Sequence, residues 1–71
     1  MFLVMQPDGG KQIVYNIPDT APRAGNTAIE QFSHFYRGRS GLVIFQARKG
    51  QPARTYHVLY RGGEYRAVKR K

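Results

Sequence analysis

No cysteine occurs in this chain, so neither disulfide bonds nor thiolate zinc sites can hold it together. Its 71 residues lie near the length at which a single apolar core is only just sufficient for folding. With 41% hydrophobic and 13% aromatic residues, it is richer in core-forming side chains than typical disordered segments. We therefore expect one small domain over residues 1–71, stabilised by one apolar core.

The longest uninterrupted apolar segment runs from Met1 to Met5. A membrane-spanning helix needs about 20 apolar residues, which is far more than this segment offers. The segment is also too short for a signal peptide and has no basic residues before it. We therefore expect a cytoplasmic protein.

The chain opens with the pattern of a β-hairpin, with strands predicted over 2–6 and 12–17. Asp8-Gly9 lies between them, and Asp-Gly between apolar segments is a strong hairpin signal because glycine adopts positive φ without steric cost. In the second strand, Ile13 and every second residue after it form one face, which we expect to be mainly buried.

A helix of about ten residues is predicted after this hairpin, and a helix of that length must pack on the sheet to be stable. Thr27 as the N-cap and Glu30 three residues later match a capping box. Gly38 is placed to end the helix in the left-handed conformation. The apolar stripe that would face the core consists of Ala28, Ile29, Phe32, Phe35 and Tyr36.

Three further strands are predicted in the second half of the chain. The apolar run 42–45 reads as a central strand buried on both faces and continuing to Arg48. Strands over 54–60 and 65–69 follow, separated by the turn residues Gly62-Gly63. The polar residues at the end, 69–71, are expected to fray.

The resulting order, β-β-α-β-β-β, predicts the α+β class: a small two-layer domain with a mainly antiparallel sheet and one helix packed on one face. Residues 1–37 would form a scaffold of hairpin plus helix, and residues 42–69 a basic three-strand meander. No helix follows the meander, so we expect the second face of the sheet to be open to solvent or to a partner.

Charge is segregated along the chain, whose formal net charge is +8. Residues 1–36 hold two basic and three acidic residues, a net −1, whereas residues 37–71 hold ten basic residues against Glu64 alone, a net +9. Such asymmetry suggests a surface for an anionic partner. The alternative is a solubilising surface, for which a net charge of about 2–8 is typical, so +8 lies at the edge of what solubility alone would explain. Membrane binding is disfavoured, since the cations lie in predicted strands and turns rather than on an amphipathic helix.

Catalysis and metal binding have little support in the sequence. The four acidic residues fall in four separate segments, so no spacing suggests a carboxylate pair for acid–base chemistry. The separation of His34 and His57, the only histidines, matches no zinc signature. The segment 38–41, Gly-Arg-Ser-Gly, lacks the Gly-Lys-Ser/Thr ending of a phosphate-binding loop. We expect no enzymatic activity, no cofactor and no metal.

Two segments near the end of the chain resemble a known family. Arg-Thr-Tyr-His-Val-Leu-Tyr-Arg over 54–61, followed by Tyr-Arg-Ala-Val-Lys-Arg over 65–70, is similar to the last strands of RelE/ParE-type toxins. That resemblance implies a small basic ribonuclease or gyrase poison, whose cutting members use Arg, Lys, Tyr or His without a metal. The chain is short for this family and lacks its two opening helices.

Tyrosine and arginine are adjacent at several places in the second half. Sheet surfaces bind single strands by stacking bases on aromatic rings while cations follow the phosphates. Eight of the twelve basic residues are arginine, which binds phosphate through a forked pair of N–H groups. The sequence therefore predicts a basic regulatory protein that binds DNA or RNA. The predicted phosphate contacts are Arg37, Arg39, Arg48, Lys49, Arg54, Arg61 and Arg66, and the predicted stacking or anchoring residues are Tyr56 and Tyr65.

Two alternatives stay open. Tyrosine is a favoured strand former, so Tyr56 and Tyr65 are equally well explained as cross-strand packing residues. The basic half could also dock on an acidic protein surface, where charge speeds association and apolar anchors hold the complex. Small basic transcription regulators of bacteriophages and mobile elements often act in this way on a host protein such as RNA polymerase.

Overall fold

The computed structural model describes residues 2–17, 24–46 and 53–70. Within them, five strands and one helix follow the predicted order β-β-α-β-β-β. The predicted fold class is confirmed, since the strands form one antiparallel sheet and the helix packs on one face of it. The elements are β1 (Phe2–Pro7), β2 (Ile13–Asn16), α1 (Ala24–Phe35), β3 (Gly41–Gln46), β4 (Arg54–Arg61) and β5 (Glu64–Arg70).

The strand order is β2-β1-β3-β4-β5, and every pairing is antiparallel. The two hairpins turn at the predicted glycines, with φ of +75° at Gly9, +59° at Gly62 and +83° at Gly63. Because α1 returns the chain to the far side of β1, β3 becomes the central strand and β2 and β5 the two edges.

The core lies between α1 and one face of the sheet. Its largest fully buried side chains are Phe32, Leu3, Met5, Val43 and Val58. Burial of each such side chain contributes about 1.5–3 kcal/mol, and in the absence of disulfides this is the main source of stability. All of the strand residues among them point to the helix side, which gives β3 its strictly alternating burial.

The helix begins earlier than its predicted capping box. It starts at Ala24, so Thr27 lies inside the helix and the prediction of Thr27 as N-cap is wrong. The extra turn packs on the sheet, where an added Cβ at Gly25 would lie 3.6 Å from Ala67 Cβ. Tertiary contact therefore outweighs the local capping signal. Gly38 has φ of +76°, as its predicted left-handed conformation requires.

Two further expectations need correction. The central strand is buried on the helix side only, because no described residue covers Leu42 and Ile44, which remain half-buried. Lys69 and Arg70, which were expected to fray, belong to β5 and pair with Tyr56 and Thr55. The predicted continuation of β3 to Arg48 lies outside the described residues.

Candidate binding surface on the open sheet face

The sheet face opposite α1 is not covered by any residue that the structure describes. We call it the open face. Strand alternation and the printed register place on it Phe2, Val4, Gln6, Val14, Asn16, Leu42, Ile44, Gln46, Thr55, His57, Leu59, Arg61, Glu64, Arg66, Val68 and Arg70.

Seven of the sixteen residues on the open face are apolar. One row of neighbouring residues crosses all five strands in register, and it consists of Val14, Val4, Ile44, Thr55 and Arg70. Val14, Val4 and Ile44 are three apolar neighbours in this row, and exposed apolar patches on a folded domain are candidates for an interaction surface. Its most exposed apolar members are Phe2 at 44%, Val14 at 63%, Leu59 at 38% and Val68 at 44% of their accessible area.

Charge on the open face is confined to one side. The described residues of β1, β2 and β3 include no charged side chain, whereas β4 and β5 contribute Arg61, Glu64, Arg66 and Arg70. Arg66 lies beside Leu59 and Arg61 beside Glu64 in the register of the two strands. The face therefore has a neutral, apolar side on β2-β1-β3 and a cationic side on β4-β5.

Cations also wrap around the edge strand β5. Arg66 and Arg70 lie on the open face, while Lys69 lies on the helix side opposite Tyr56 in register. All three are exposed, and Arg66 and Arg70 are about 13 Å apart along the strand at its usual rise. We call Arg61, Arg66, Lys69 and Arg70 the basic margin.

The guanidinium groups of the basic margin donate no hydrogen bonds to the described protein. Among the described arginines, only Arg39 donates a side-chain hydrogen bond to the protein, from Nη2 to the Asp8 carbonyl oxygen at 2.8 Å. Arg39 therefore fixes the loop after α1 to the first hairpin, and it is less free to bind a ligand than the margin arginines.

The predicted phosphate contacts are distributed over several surfaces. Arg61 and Arg66 lie on the open face, and Arg54 is exposed on the helix side of β4, opposite Phe45 in register. Arg37 and Arg39 lie in the loop that follows α1. Arg48 and Lys49 fall outside the described residues.

The two predicted stacking tyrosines do not lie on the open face. Tyr56 is only 8% exposed, and its ring packs edge to face with Phe45 at a centroid distance of 5.7 Å. Tyr65 accepts a hydrogen bond of 2.6 Å from the Gly38 N–H, and its ring lies 4.8 Å from that of Tyr60. A stacking role does not fit Tyr56, because its ring is enclosed in the core, and Tyr65 is engaged in fixing the loop after the helix.

Lys69, Arg70 and the exposed apolar residues of the open face belong to the candidate surface but are not among the residues predicted from the sequence. Period-two alternation along β5 could have found Arg70, since Glu64, Arg66, Val68 and Arg70 occupy every second position. Adjacency in sequence does not bring the tyrosine and arginine of a strand pair onto one surface, because neighbouring strand residues point to opposite faces.

Metal ligands and surface depressions are the features of the described residues that bear on metal and small-molecule binding. No cluster of three or more His, Cys, Asp or Glu occurs among these residues. A depression of about 240 Å³ lies at the turn of the second hairpin and is bordered by Leu59, Arg61 and Tyr65. Ligand pockets usually enclose roughly 300–1,000 Å³, so this depression is small for one.

Comparison of the chain with protein-family models, with curated proteins and with solved structures gave no match. Within the described ranges, no helix is long and apolar enough to cross a membrane. The single helix found there follows a hairpin, which differs from the two opening helices of RelE/ParE-type toxins. The open face and the basic margin are therefore the features from which a function can be inferred.

Proposed function

We propose that this protein is a small, non-catalytic regulatory protein of the cytoplasm that binds nucleic acid through its basic margin. The observation that supports this is the concentration of four exposed cations on and beside one edge strand, without side-chain hydrogen bonds to the described protein. A strand edge with cations on both faces offers a linear track for a phosphate backbone.

Phosphate contacts would dominate binding on such a surface. The stacking tyrosines expected from the sequence are not on the open face, so base-stacking would come from Phe2, His57 or the guanidinium planes. We therefore expect weak sequence preference and strong dependence on salt, because each neutralised phosphate releases counterions.

Fluorescence anisotropy with labelled single-stranded DNA, single-stranded RNA and duplex DNA over a salt series tests this proposal. Replacement of Arg61, Arg66 and Arg70 by glutamine should reduce the slope of log K against log salt by about 2 for a single strand. Lys11→Gln is the matched control, because Lys11 lies in the turn of the first hairpin, away from β5. A flat salt response, or no binding at about 50 mM salt, would contradict the proposal.

The same samples test whether the protein is a nuclease. Incubation of labelled RNA with the protein, with and without ribosomes, should leave the RNA intact. Cleavage of the RNA would contradict the proposal of a non-catalytic protein and would support the RelE/ParE-like alternative.

A second candidate is docking on an acidic protein surface such as that of RNA polymerase. It is favoured by Leu59 and Val68, which are exposed beside Arg66 and Arg70 on the open face. Apolar anchors flanked by cations suit an acidic surface with apolar groups at its centre. Retention of a specific host protein in a pull-down that survives nuclease treatment would support this candidate over the first.

A further inference from the structure

We propose that the edge strand β5 accepts an extended acidic segment of a partner protein as a further strand of the sheet. The inference goes beyond nucleic-acid binding and does not depend on it. It rests on the main-chain groups of β5 that point away from the sheet and on the cations that lie along the same strand.

The hydrogen bonds of β4 fix which residues of β5 bond to it. Tyr60 donates its main-chain N–H to Oγ of Ser40, which directly precedes β3, so the main-chain groups of Tyr60 point towards β3. Neighbouring residues of a strand direct these groups to opposite sides, so Arg61 and every second residue before it in β4 point towards β5. Their register partners are the even-numbered residues of 64–70. The even-numbered residues of β5 therefore bond to β4.

The odd-numbered residues Tyr65, Ala67 and Lys69 consequently direct their main-chain N–H and C=O groups away from the sheet. In the described part of the chain, these main-chain groups have no hydrogen-bond partner, and no strand lies beyond β5. A row of unpaired main-chain groups at a sheet edge is a template for another strand, and peptide recognition by strand addition uses such edges.

The side chains of β5 determine which segment fits this edge. Arg66, Val68 and Arg70 alternate along the open face, and Lys69 lies on the helix side. Side chains directly opposite each other on paired strands lie about 4.5–5.5 Å apart, and opposite charges at such positions are stabilising. An antiparallel segment with carboxylates opposite Arg70, Lys69 and Arg66, and an apolar residue opposite Val68, therefore complements β5.

The same charges disfavour a second copy of β5 as the added strand. β5 contains Arg66, Lys69 and Arg70 against Glu64 alone, so two copies would bring two net-positive strands together. Like charges opposed across an interface are costly, and cations on an exposed edge commonly prevent such self-pairing. An acidic strand removes this repulsion and neutralises the edge.

A synthetic peptide provides the probe. Acetyl-Glu-Glu-Val-Thr-Glu-Thr-amide, laid antiparallel, places its residues in order opposite positions 70 to 65 of β5. Calorimetric titration of the full chain at about 50 mM salt should detect binding, since charge pairs are screened little under these conditions. Replacement of the three Glu residues of the peptide by Gln should weaken binding by roughly tenfold, because three opposite-charge pairs are lost.

Two N-methylated forms of this peptide separate strand addition from simple charge attraction. A methyl group on the nitrogen of the first Thr, opposite Ala67, removes an N–H that would bond to β5 and should weaken binding by about tenfold. A methyl group on the nitrogen of the Val, opposite Val68, replaces an N–H that would face solvent and should change the affinity little. The two forms have the same charge and composition, so each is the matched control of the other.

Hydrogen exchange measured by NMR locates the added strand on the protein. The amides of Tyr65, Ala67 and Lys69 should exchange rapidly in the free protein and become protected in the presence of the peptide. The amides of Arg66 and Val68 bond to β4 and should be protected in both states.

Substitutions of Lys69 test the same main-chain groups from the side of the protein. Lys69→Pro removes an outward N–H without breaking a bond to β4, so it should weaken peptide binding more than Lys69→Gln, which removes only the charge. Thermal unfolding establishes that both variants are folded. The N-methylated peptides need no protein variant, so they decide the question even if Lys69→Pro fails to fold.

Equal affinity for the two N-methylated peptides would overturn the inference, because binding would then depend on charge alone. So would no binding of the acidic peptide at about 1 mM. Protection of the three outward amides that rises with protein concentration, without peptide, would also overturn it, because a second copy would then cover the edge. Peptide binding by a chain that binds no nucleic acid would leave this inference standing without the proposed function, and the converse result would leave the proposed function standing alone.

Discussion

Gly41 lies where β1, β3 and α1 meet. A Cβ at this position would be 2.6 Å from Phe32 Cζ and 2.7 Å from Pro7 Cα, and one of these neighbours is backbone that cannot move without shifting β1. We expect Gly41→Ala to lower the free energy of unfolding by about 2 kcal/mol or more through overpacking. Urea denaturation followed by circular dichroism measures the change, and unaltered stability would contradict this account of the packing.

Gly25 provides the matched substitution at a position with room. An added Cβ would lie 3.6 Å from Ala67 Cβ, an ordinary contact distance, and the residue is helical. Gly25→Ala should therefore raise the free energy of unfolding by about 0.4–1 kcal/mol, because alanine loses less backbone entropy on folding. In the same denaturation experiment, Gly25→Ala should raise the free energy of unfolding and Gly41→Ala should lower it. Changes of the same sign would contradict this account of the packing.

Substitution of Tyr65 tests whether this tyrosine stabilises the fold or binds a ligand. Its hydroxyl accepts the Gly38 N–H at 2.6 Å, so Tyr65→Phe should reduce the free energy of unfolding by about 1 kcal/mol. Nucleic-acid affinity should stay the same, since the ring is retained and lies on the helix side of the sheet. A loss of affinity without a loss of stability would indicate that the Tyr65 hydroxyl contacts the nucleic acid.

At the scale of the elements, Glu64 is the one carboxylate beside the basic margin in the described chain. It lies in β5 opposite Arg61 and is exposed. Glu64→Gln should tighten nucleic-acid binding at low salt, because it removes a like charge from the path of the phosphates. Glu30→Gln, on α1, makes the same change in net charge away from the margin and should have a much smaller effect on the anisotropy titration.

The elements themselves were largely predictable, because apolar alternation and glycine turns are local signals. Asp8-Gly9 and Gly62-Gly63 marked the two hairpins correctly, and the strand bounds differ from expectation by one or two residues. The start of α1 was not predictable from Thr27 and Glu30, since packing of the helix on β5 decided it.

The candidate surface was predictable only in part, because tertiary structure rather than local sequence brings its residues together. The sequence places cations in the second half of the chain, but register and alternation decide which of them share a face. Tyr56 and Tyr65 lie on the helix side, whereas Arg61 and Arg66 lie on the open face. The neutral, apolar side of that face combines β1, β2 and β3, which come from both halves of the chain, so no local pattern indicates it.

At the scale of the whole molecule, binding of nucleic acid should depend steeply on the salt concentration. Binding of a single strand through four phosphate contacts should weaken by roughly 50-fold between 50 and 200 mM salt.

Anisotropy titrations in a series of buffers between about 50 and 200 mM salt measure this response. A much smaller loss of affinity would mean that apolar contacts, rather than phosphate contacts of the basic margin, hold the nucleic acid. The neutral strands β1, β2 and β3 would then be the better candidates for the contact, because they contribute no charged side chain to the open face in the described part of the chain.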